Sequence, residues 1–326
     1  FEVEHVSLAK KADLFMVAPA TADIAAKLAY GICDDMLTTT FLACECPKYV
    51  VPSMNTRMYN NPVTQDNLNR LSQYGVHVIR PESGYLACGD TGTGKMPEPE
   101  VLFGYIEREI ARPKDMKGKH VIVTAGATQE SMDPVRFITN HSTGKMGFAL
   151  ARECVLRGAD VCIVKASVSA EVPGFCTVVE ALSAGAMYEE VMRRASLADY
   201  IFMAAAVADY TPAVKADHKI KKKDGDLSID LSRTKDILKD LGLNRTDNQF
   251  LCGFSMETEN LEENSRAKLI RKNVDMIVAN NLKDPGAGFG TDTNLVTLIT
   301  KKGSTHLPLL SKEDTAKAIV DAALAR

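Results

Sequence analysis

The sequence predicts an α/β protein made of two doubly wound domains, each a parallel sheet with helices on both faces. Three observations predict it. Short, wholly apolar runs alternate with amphipathic segments along most of the chain, the pattern of buried parallel strands joined by crossover helices. The 326 residues suffice for two separate cores at roughly 150 residues each. Between the two series of runs lies the stretch Arg112 to Lys119, charged, interrupted by Pro113 and Gly118 and without apolar periodicity. It separates a domain at 1–112 from one at 120–326, with a linker at 113–119.

Taken in order, Leu14 to Thr21 is an apolar run whose end at Pro19 and Thr21 marks a strand opening into a loop. Asp23 to Tyr30 reads as a helix stopped by Gly31. Tyr49 to Pro52 is the next strand, Ser53 to Asn61 a polar loop, and Pro62 starts a helix reaching about Tyr74. After a strand at Val76 to Ile79, Glu82 to Met96 carries glycines at 84, 89, 92 and 94 and reads as a loop, too rich in breakers for helix or strand. A helix from Pro99 to Ala111 closes the first half. In the second half, strands at His120–Ala125, Asp160–Val164, Tyr200–Ala206, Phe250–Phe254, Met276–Ala279 and Leu295–Thr300 alternate with helices at Met146–Arg157, Ser183–Leu197, Leu261–Lys272 and Lys312–Leu324. Ligands of such sheets sit at the carboxyl ends of the strands, so the residues after each strand carry the information. Phe1 to Lys10 runs straight into the first strand with no earlier strand to pair with, which reads as a chain entered within a domain.

With 39 basic and 42 acidic side chains the net charge is −3, without the basic excess of a general nucleic-acid binder. No run approaches roughly 18 uninterrupted apolar residues, so no membrane span is expected. Eight cysteines are too dilute for a disulfide framework and none forms a Cys-x-x-Cys pair, which points to a reduced, cytoplasmic setting without structural zinc.

Among candidate sites, the glycines around Cys88 make a flap able to bring one thiol to a ligand. A lone cysteine is more often an inert apolar residue, but Cys88 sits between Ala87 and Gly89 in a polar loop, where a packing role is hard to arrange. His5 is open to two readings, an exposed residue near a helix start or a general base, and the residues alone favour the first. Between strand His120–Ala125 and the next helix, Ser142, Gly144 and Gly147 form a helix start that suits a phosphate. Thr139 and Met146 stand where the P-loop needs glycine and Ser or Thr, and Gly126 does not open a Rossmann fingerprint. The glycines could instead serve close helix packing. The run Lys219 to Lys223 and the pair Lys268 and Lys272, four residues apart on one helix, add cations near predicted strand ends, which suits a triphosphate.

Several of these segments closely resemble the family of bacterial bifunctional coenzyme A biosynthesis proteins, a phosphopantothenoylcysteine decarboxylase fused to a phosphopantothenate–cysteine ligase. The resemblance spans essentially the whole chain. It rests in front on His5 to Lys10, Ala18 to Asp23, Pro52 to Asn55 with Met58, and Ser83 to Met96. Behind, it rests on Thr124 to Glu130, Asp133 to Arg136, Thr139 to Gly147, Ala204 to Tyr210, Lys219 to Lys222 and Gly253-Phe254 with Glu257-Thr258. It implies an incomplete flavodoxin-like domain that binds FMN and decarboxylates 4′-phosphopantothenoylcysteine to 4′-phosphopantetheine, with His5 as base, Asn55 on the substrate carboxylate and Cys88 as proton donor. It further implies a Rossmann-like domain that ligates 4′-phosphopantothenate to cysteine with CTP and Mg²⁺ through an acyl-cytidylate. In that domain Met203, Ala204, Ala205, Asp209, Lys219, Lys235, Asp236, Ile237, Leu238, Phe254, Lys268 and Lys272 would line the nucleotide site. Asn140 would hold the acyl intermediate and Arg136 would assist; no metal ligand is assigned.

The chain departs from the family pattern at Asp34-Asp35, usually Asn-Asp, at Lys95, usually Arg, and at Arg233 to Ile237, usually Asn-Pro-Asp-Ile. The family's first strands and FMN-phosphate loop have no counterpart, so weak flavin retention and poor decarboxylation are expected. The alternative is a ligase whose front half is only an oligomerisation module. A regulatory subunit that binds a phosphatase is a further rival, opposed by Cys88 and a complete ligase half. Expected partners are the small-molecule substrates and further copies of the chain, as dimers through the ligase half and trimers through the flavin half, with no nucleic acid and no membrane.

Overall fold

Two separate parallel sheets organise the chain in the computed structural model, which describes residues 3–87, 89–221, 227–257, 260–281 and 291–326. They fall in two units, Phe1–Pro113 and Lys114–Arg326.

In the first unit, strands Phe15–Ala20, Lys48–Pro52 and His77–Val78 pair in parallel in that order. Val17, Val50, Leu68 and Leu71 bury one side of this sheet with helices Ala22–Tyr30 and Pro62–Gln73, while Tyr49, Val51 and Leu102 bury the other against helix Pro99–Ile110. Helix starts follow local chemistry. Thr21 accepts from Ile24 N at 3.3 Å, and Asn61 accepts from Val63 N at 3.0 Å ahead of Pro62. Helix Met36–Ala43, which no apolar period announces, begins with a capping box at Asp35, whose carboxylate accepts from Thr38 N at 2.8 Å. The departure at Asp34-Asp35 therefore keeps a structural role, with Asp34 also bonded to Lys27 at 3.1 Å.

The segment 82–96 corrects the loop expectation. Glu82–Tyr85 and Thr91–Lys95 form an antiparallel hairpin with Ser83 opposite Thr93 and Gly84 opposite Gly92. Lys95 pairs with Glu98 at 2.6 Å.

The second unit holds an eight-stranded sheet in the order Thr177–Glu180, Asp160–Lys165, His120–Ala125, Tyr200–Met203, Phe250–Glu257, Met276–Asn281, Val296–Thr300 and Gly303–His306. The first six strands are parallel; Val296–Thr300 pairs antiparallel with Met276–Asn281, and Gly303–His306 antiparallel with Val296–Thr300, a hairpin edge that the parallel expectation did not contain. Strand residues alternate between two cores. Val121, Val123, Phe202, Cys252 and Val278 pack with helices Lys145–Leu156 and Lys312–Leu324 on one face. Ile122, Ile201, Leu251 and Ile277 pack with helices Ala184–Ala195, Ile237–Asn244 and Leu261–Lys272 on the other.

The expected linker is also corrected from Lys114 onward. Met116 is fully buried in the second core, its N–H bonds Arg157 O at 3.1 Å, and Lys114 Nζ bonds Leu156 O at 2.6 Å. Chain order reverses between strands His120–Ala125 and Tyr200–Met203, which puts the switch-point crevice over their carboxyl ends.

Candidate active sites

A cleft of about 890 Å³ opens at that crevice. It gathers Asn140, Met203, Ala204, Ala205, Asp209, Lys235, Asp236, Ile237, Leu238, Phe254, Lys268 and Lys272 from segments distant in sequence. Its floor is the segment after strand Tyr200–Met203, fixed by buried threonines of the neighbouring strand and loop. Thr124 Oγ1 accepts from Ala205 N and Thr128 Oγ1 from Ala208 N, both at 3.0 Å. Thr234 Oγ1 donates to Ala208 O at 2.7 Å, and Asn140 Nδ2 to Ala206 O at 3.3 Å. A hydroxyl in a strand otherwise filled by Val, Ile and Ala is the signal that marks Thr124 as a support.

One wall comes from two helices on the same sheet face. Asp236 caps helix Ile237–Asn244 by accepting from Lys239 N at 3.0 Å, and its carboxylate pairs with Lys272 of helix Leu261–Lys272. Lys268 Nζ bonds Phe254 O at 2.9 Å, and Lys235 stacks over the Tyr188 ring at 4.5 Å. Burial holds the Lys272 amine below the ordinary lysine range. The lining contains the cations Lys145, Arg233, Lys235, Lys239, Lys268, Arg271, Lys272 and Lys312 against Asp209 and Asp236. That imbalance suits a polyanion.

The opposite wall includes the start of helix Lys145–Leu156, whose N-cap Gly144 has φ +86° and supplies no side-chain cap, so amides of the first turn face the cleft's edge. Gly147 serves packing instead: a Cβ there would stand 2.8 Å from Ala125 Cβ and 2.9 Å from Thr124 O.

Two expected residues lie elsewhere. Arg136 does not line the cleft; its guanidinium bonds the buried Asp133 carboxylate at 2.7 Å and Ile220 O at 3.0 Å. Asp133 also accepts from Ile220 N at 3.1 Å, so the pair clamps the backbone beside Lys219. The Arg136 hydrogen bond holds the Asp133 carboxyl well below the usual carboxylate range. Lys219 is exposed and outside the cleft lining. Lys222, Lys223 and Thr258 lie outside the described residues. Of the further cleft residues, Lys145 falls within the Thr139 to Gly147 segment, whereas Lys239, Arg271, Asn280, Asn294 and Lys312 belong to no motif in the sequence.

In the first unit, Asn55 stands after strand Lys48–Pro52, where its Oδ1 accepts from Arg57 N at 2.8 Å and its Nδ2 donates to Asp90 of the hairpin at 3.0 Å. Ser53 N bonds Ala20 O at 2.9 Å and Met54 N bonds Gly94 O at 3.1 Å, tying both strand-end loops and the hairpin into one rim. Cys88 lies outside the described residues. His5 is half-buried on helix Glu4–Lys11, which packs against helix Met36–Ala43. A cavity of about 500 Å³ lined by Cys33, Cys46, Lys48 and His77 opens at the other end of the strands from Asn55 and contains neither His5 nor Asn55.

Residues 116–325 match the family model of the DNA/pantothenate metabolism flavoprotein C-terminal domain, and residues 1–111 match the Flavoprotein model. The chain is 46% identical to the coenzyme A biosynthesis bifunctional protein CoaBC of Bacillus subtilis (strain 168), over 98% of this chain and 79% of that protein. It belongs to that family. The CoaBC protein of Vibrio cholerae is 43% identical over 97% of this chain and 79% of its own length. The crystal structure of the C-terminal domain of a CoaBC protein superposes with a TM-score of 0.55 at 40% identity, covering 64% of this chain and 96% of that one. Among the described residues, no helix is long and apolar enough to cross a membrane.

Proposed function

We propose that the chain is a coenzyme A biosynthesis enzyme with phosphopantothenate–cysteine ligase activity in the second unit and phosphopantothenoylcysteine decarboxylase activity in the first. The observation that carries the ligase reading is the convergence of Asn140, the Ala204 to Asp209 floor and the Lys268–Lys272 wall on one cationic cleft. In this reading CTP lies along Met203 to Ala205, Lys235 to Leu238, Phe254, Lys268 and Lys272. The carboxylate of 4′-phosphopantothenate attacks the α-phosphate, a C–O–P linkage forms and pyrophosphate leaves. The cysteine amine then attacks the acyl carbon, the bond to the cytidylate oxygen breaks, an amide forms and CMP departs, the amine's proton passing to solvent. Fixed cations stabilise the charge developing on pyrophosphate. Asn140, anchored to Ala206 O, holds the acyl group, and Arg136 acts indirectly by fixing the segment that carries Lys219.

No cluster of three or more His, Cys, Asp or Glu side chains among the described residues fits a resident metal ion. Mg²⁺ would enter bound to the CTP phosphates, where Asp209 of the cleft lining is a carboxylate that would hold it. For FMN, the rim formed by Ala20–Thr21, Ser53–Asn55 and the hairpin fits the group: it lies at strand carboxyl ends and holds the buried Thr56 Oγ1, which has no hydrogen-bond partner. When bound, FMN supplies the oxidation that makes loss of carbon dioxide easy. Asn55 orients the substrate carboxylate, His5 takes a proton and Cys88 returns one.

The same reading makes the second unit dimeric, supported by exposed Val135, Phe137, Ile138 and Leu231 on its two small hairpins, the first unit trimeric, and the enzyme cytoplasmic. The test is pyrophosphate release with 4′-phosphopantothenate and cysteine, comparing CTP with ATP, in wild type, Asn140→Asp and Lys219→Ala. Release with CTP, lost in Asn140→Asp and weakened in Lys219→Ala, is expected. No release with either nucleotide overturns the ligase assignment.

A further inference from the structure

The part of the cleft lined by Asn280, Asn294 and Lys312 has a different chemistry from the rest. Asn280 lies near the end of strand Met276–Asn281, and Asn294 lies in the short strand Thr293–Asn294, which pairs with Leu310–Ser311. Lys312 opens the following helix, its backbone N–H bonding Asp292 O at 2.9 Å. All three line the cleft while being 9%, 2% and 7% exposed. Asn280 Oδ1 and Asn294 Oδ1 are buried and accept no hydrogen bond; the Asn294 amide nitrogen reaches only the Met146 sulfur, at 3.7 Å. Lys312 Nζ bonds Thr293 O at 3.3 Å, and Lys145 beside it pairs with Asp292 at 2.6 Å.

Two unmet acceptors and a buried cation call for a ligand that brings hydrogen-bond donors together with an anionic group. An ionised phosphate has no hydrogen to give an amide oxygen, so the triphosphate leaves both asparagines unsatisfied. A group bearing N–H donors and a carboxylate satisfies all three. Burial, and then the neighbouring Lys145 charge, hold the Lys312 amine below the ordinary lysine range, and Asp292 and Glu313 oppose this. An anion arriving at Lys312 favours its charged form and so offsets both effects.

We infer that this end of the cleft is the subsite for the amino-acid substrate: Asn280 and Asn294 receive the α-ammonium of cysteine and Lys312 its α-carboxylate. The inference rests on the ligase reading. It makes the three residues binding groups for the second half-reaction, with no part in activating the phosphopantothenate carboxylate.

The test uses the full chain with 4′-phosphopantothenate, CTP, Mg²⁺ and either cysteine or cysteamine, which keeps the amine and thiol and lacks the carboxylate. Wild type is expected to prefer cysteine in kcat/KM by about tenfold or more, and Lys312→Met to erase most of that preference. The ratio is taken within one preparation, so partial misfolding lowers both rates and leaves it unchanged. Asn294→Leu, close in volume, is expected to raise KM for both amines about tenfold while KM for CTP holds. An unchanged cysteine-to-cysteamine ratio in Lys312→Met overturns the subsite, as does a rise in KM for CTP or 4′-phosphopantothenate in place of the amine. Wild type that releases no pyrophosphate removes the ligase reading and the subsite together; wild type that releases it while the ratio stays fixed removes the subsite alone.

Discussion

Gly242→Ala tests whether the two helices of the cleft's cationic wall act as one unit. Gly242 lies in helix Ile237–Asn244, and a Cβ there would stand 1.8 Å from Lys272 O and 2.9 Å from Lys272 C. Those are backbone atoms and cannot swing aside. Restoring an ordinary contact requires the helices to part locally by about 1.6 Å or more, an overpacking cost of about 1–3 kcal/mol. The Asn273 side-chain bond to Gly242 O, 2.8 Å long, is stretched by the same movement, at about 1 kcal/mol. Alanine's better helix propensity offsets about 1 kcal/mol. A net loss of about 2 kcal/mol in a unit this size lowers Tm by about 4–8 °C. Because the displaced helix end carries Lys272, which pairs with Asp236, the KM for CTP rises as well. Thermal unfolding and pyrophosphate release measure the two effects. Gly174→Ala is the control, having no atom within 4 Å of its added Cβ; it should stay within about 0.5 kcal/mol of wild type. Gly242→Ala as stable as this control refutes the packing argument, and a destabilised variant with unchanged KM for CTP refutes the coupling.

Arg157 bonds the buried Glu153 at 2.8 Å and also reaches Asp115 and Asp321, joining both helices of one sheet face to the segment after Pro113. Arg157→Met takes the guanidinium away from the buried Glu153 carboxylate and should cost about 3–5 kcal/mol, most of it recovered by adding Glu153→Leu; urea denaturation of both variants checks this, and no recovery in the double variant contradicts it. Asp133→Asn removes a carboxyl whose folded pKa is depressed by Arg136, so the wild-type advantage is complete above the unfolded carboxylate range and is lost as pH falls through the depressed folded value. Urea midpoints should differ by a constant amount from about pH 5 to 8 and converge only below about pH 4. Gly94→Ala puts a Cβ 2.1 Å from Met54 O at φ +151°, so the hairpin should lift from the Asn55 loop and become sensitive to limited proteolysis; a hairpin as resistant as wild type counts against the rim.

The central strands of both sheets were legible because burial on two faces demands runs such as Val121 to Ala125 and Met276 to Ala279, whereas the edge strands Thr177–Glu180 and Gly303–His306, exposed or half-buried, carry no such run. The hairpin at 82–95 was misread because glycine was weighed as a breaker. Its Gly92 and Gly94 exist for close approach to Thr56 and Met54, a contact between segments that local pattern cannot contain. Helix Met36–Ala43 hid behind three consecutive threonines, of which Thr39 and Thr40 satisfy their hydroxyls on the carbonyls of Asp35 and Met36. At the candidate site, Lys268 and Lys272 were visible through helical spacing. Lys312 was not: at the first position of an amphipathic helix it reads as solvated, and only the packing of that helix beside helix Lys145–Leu156 buries it.

The two sheet faces divide the cleft's work. Helices Ile237–Asn244 and Leu261–Lys272 stand on one face and present cations with Asp236; helices Lys145–Leu156 and Lys312–Leu324 stand on the other and present Lys145 and Lys312 beside two unsatisfied amides. A polyanion is drawn to the first wall by charge alone, whereas the second selects for a ligand that brings both donors and an anion. Between the walls lie the strand ends, where the Ala204 to Asp209 backbone is pinned by Thr124, Thr128 and Thr234, and Asn140 is fixed on Ala206 O. In the ligase reading, a nucleotide held on one side and an amine held on the other can meet only over that pinned segment. The rigidity of the floor, rather than any single catalytic side chain, then sets the distance between the acyl carbon and its nucleophile.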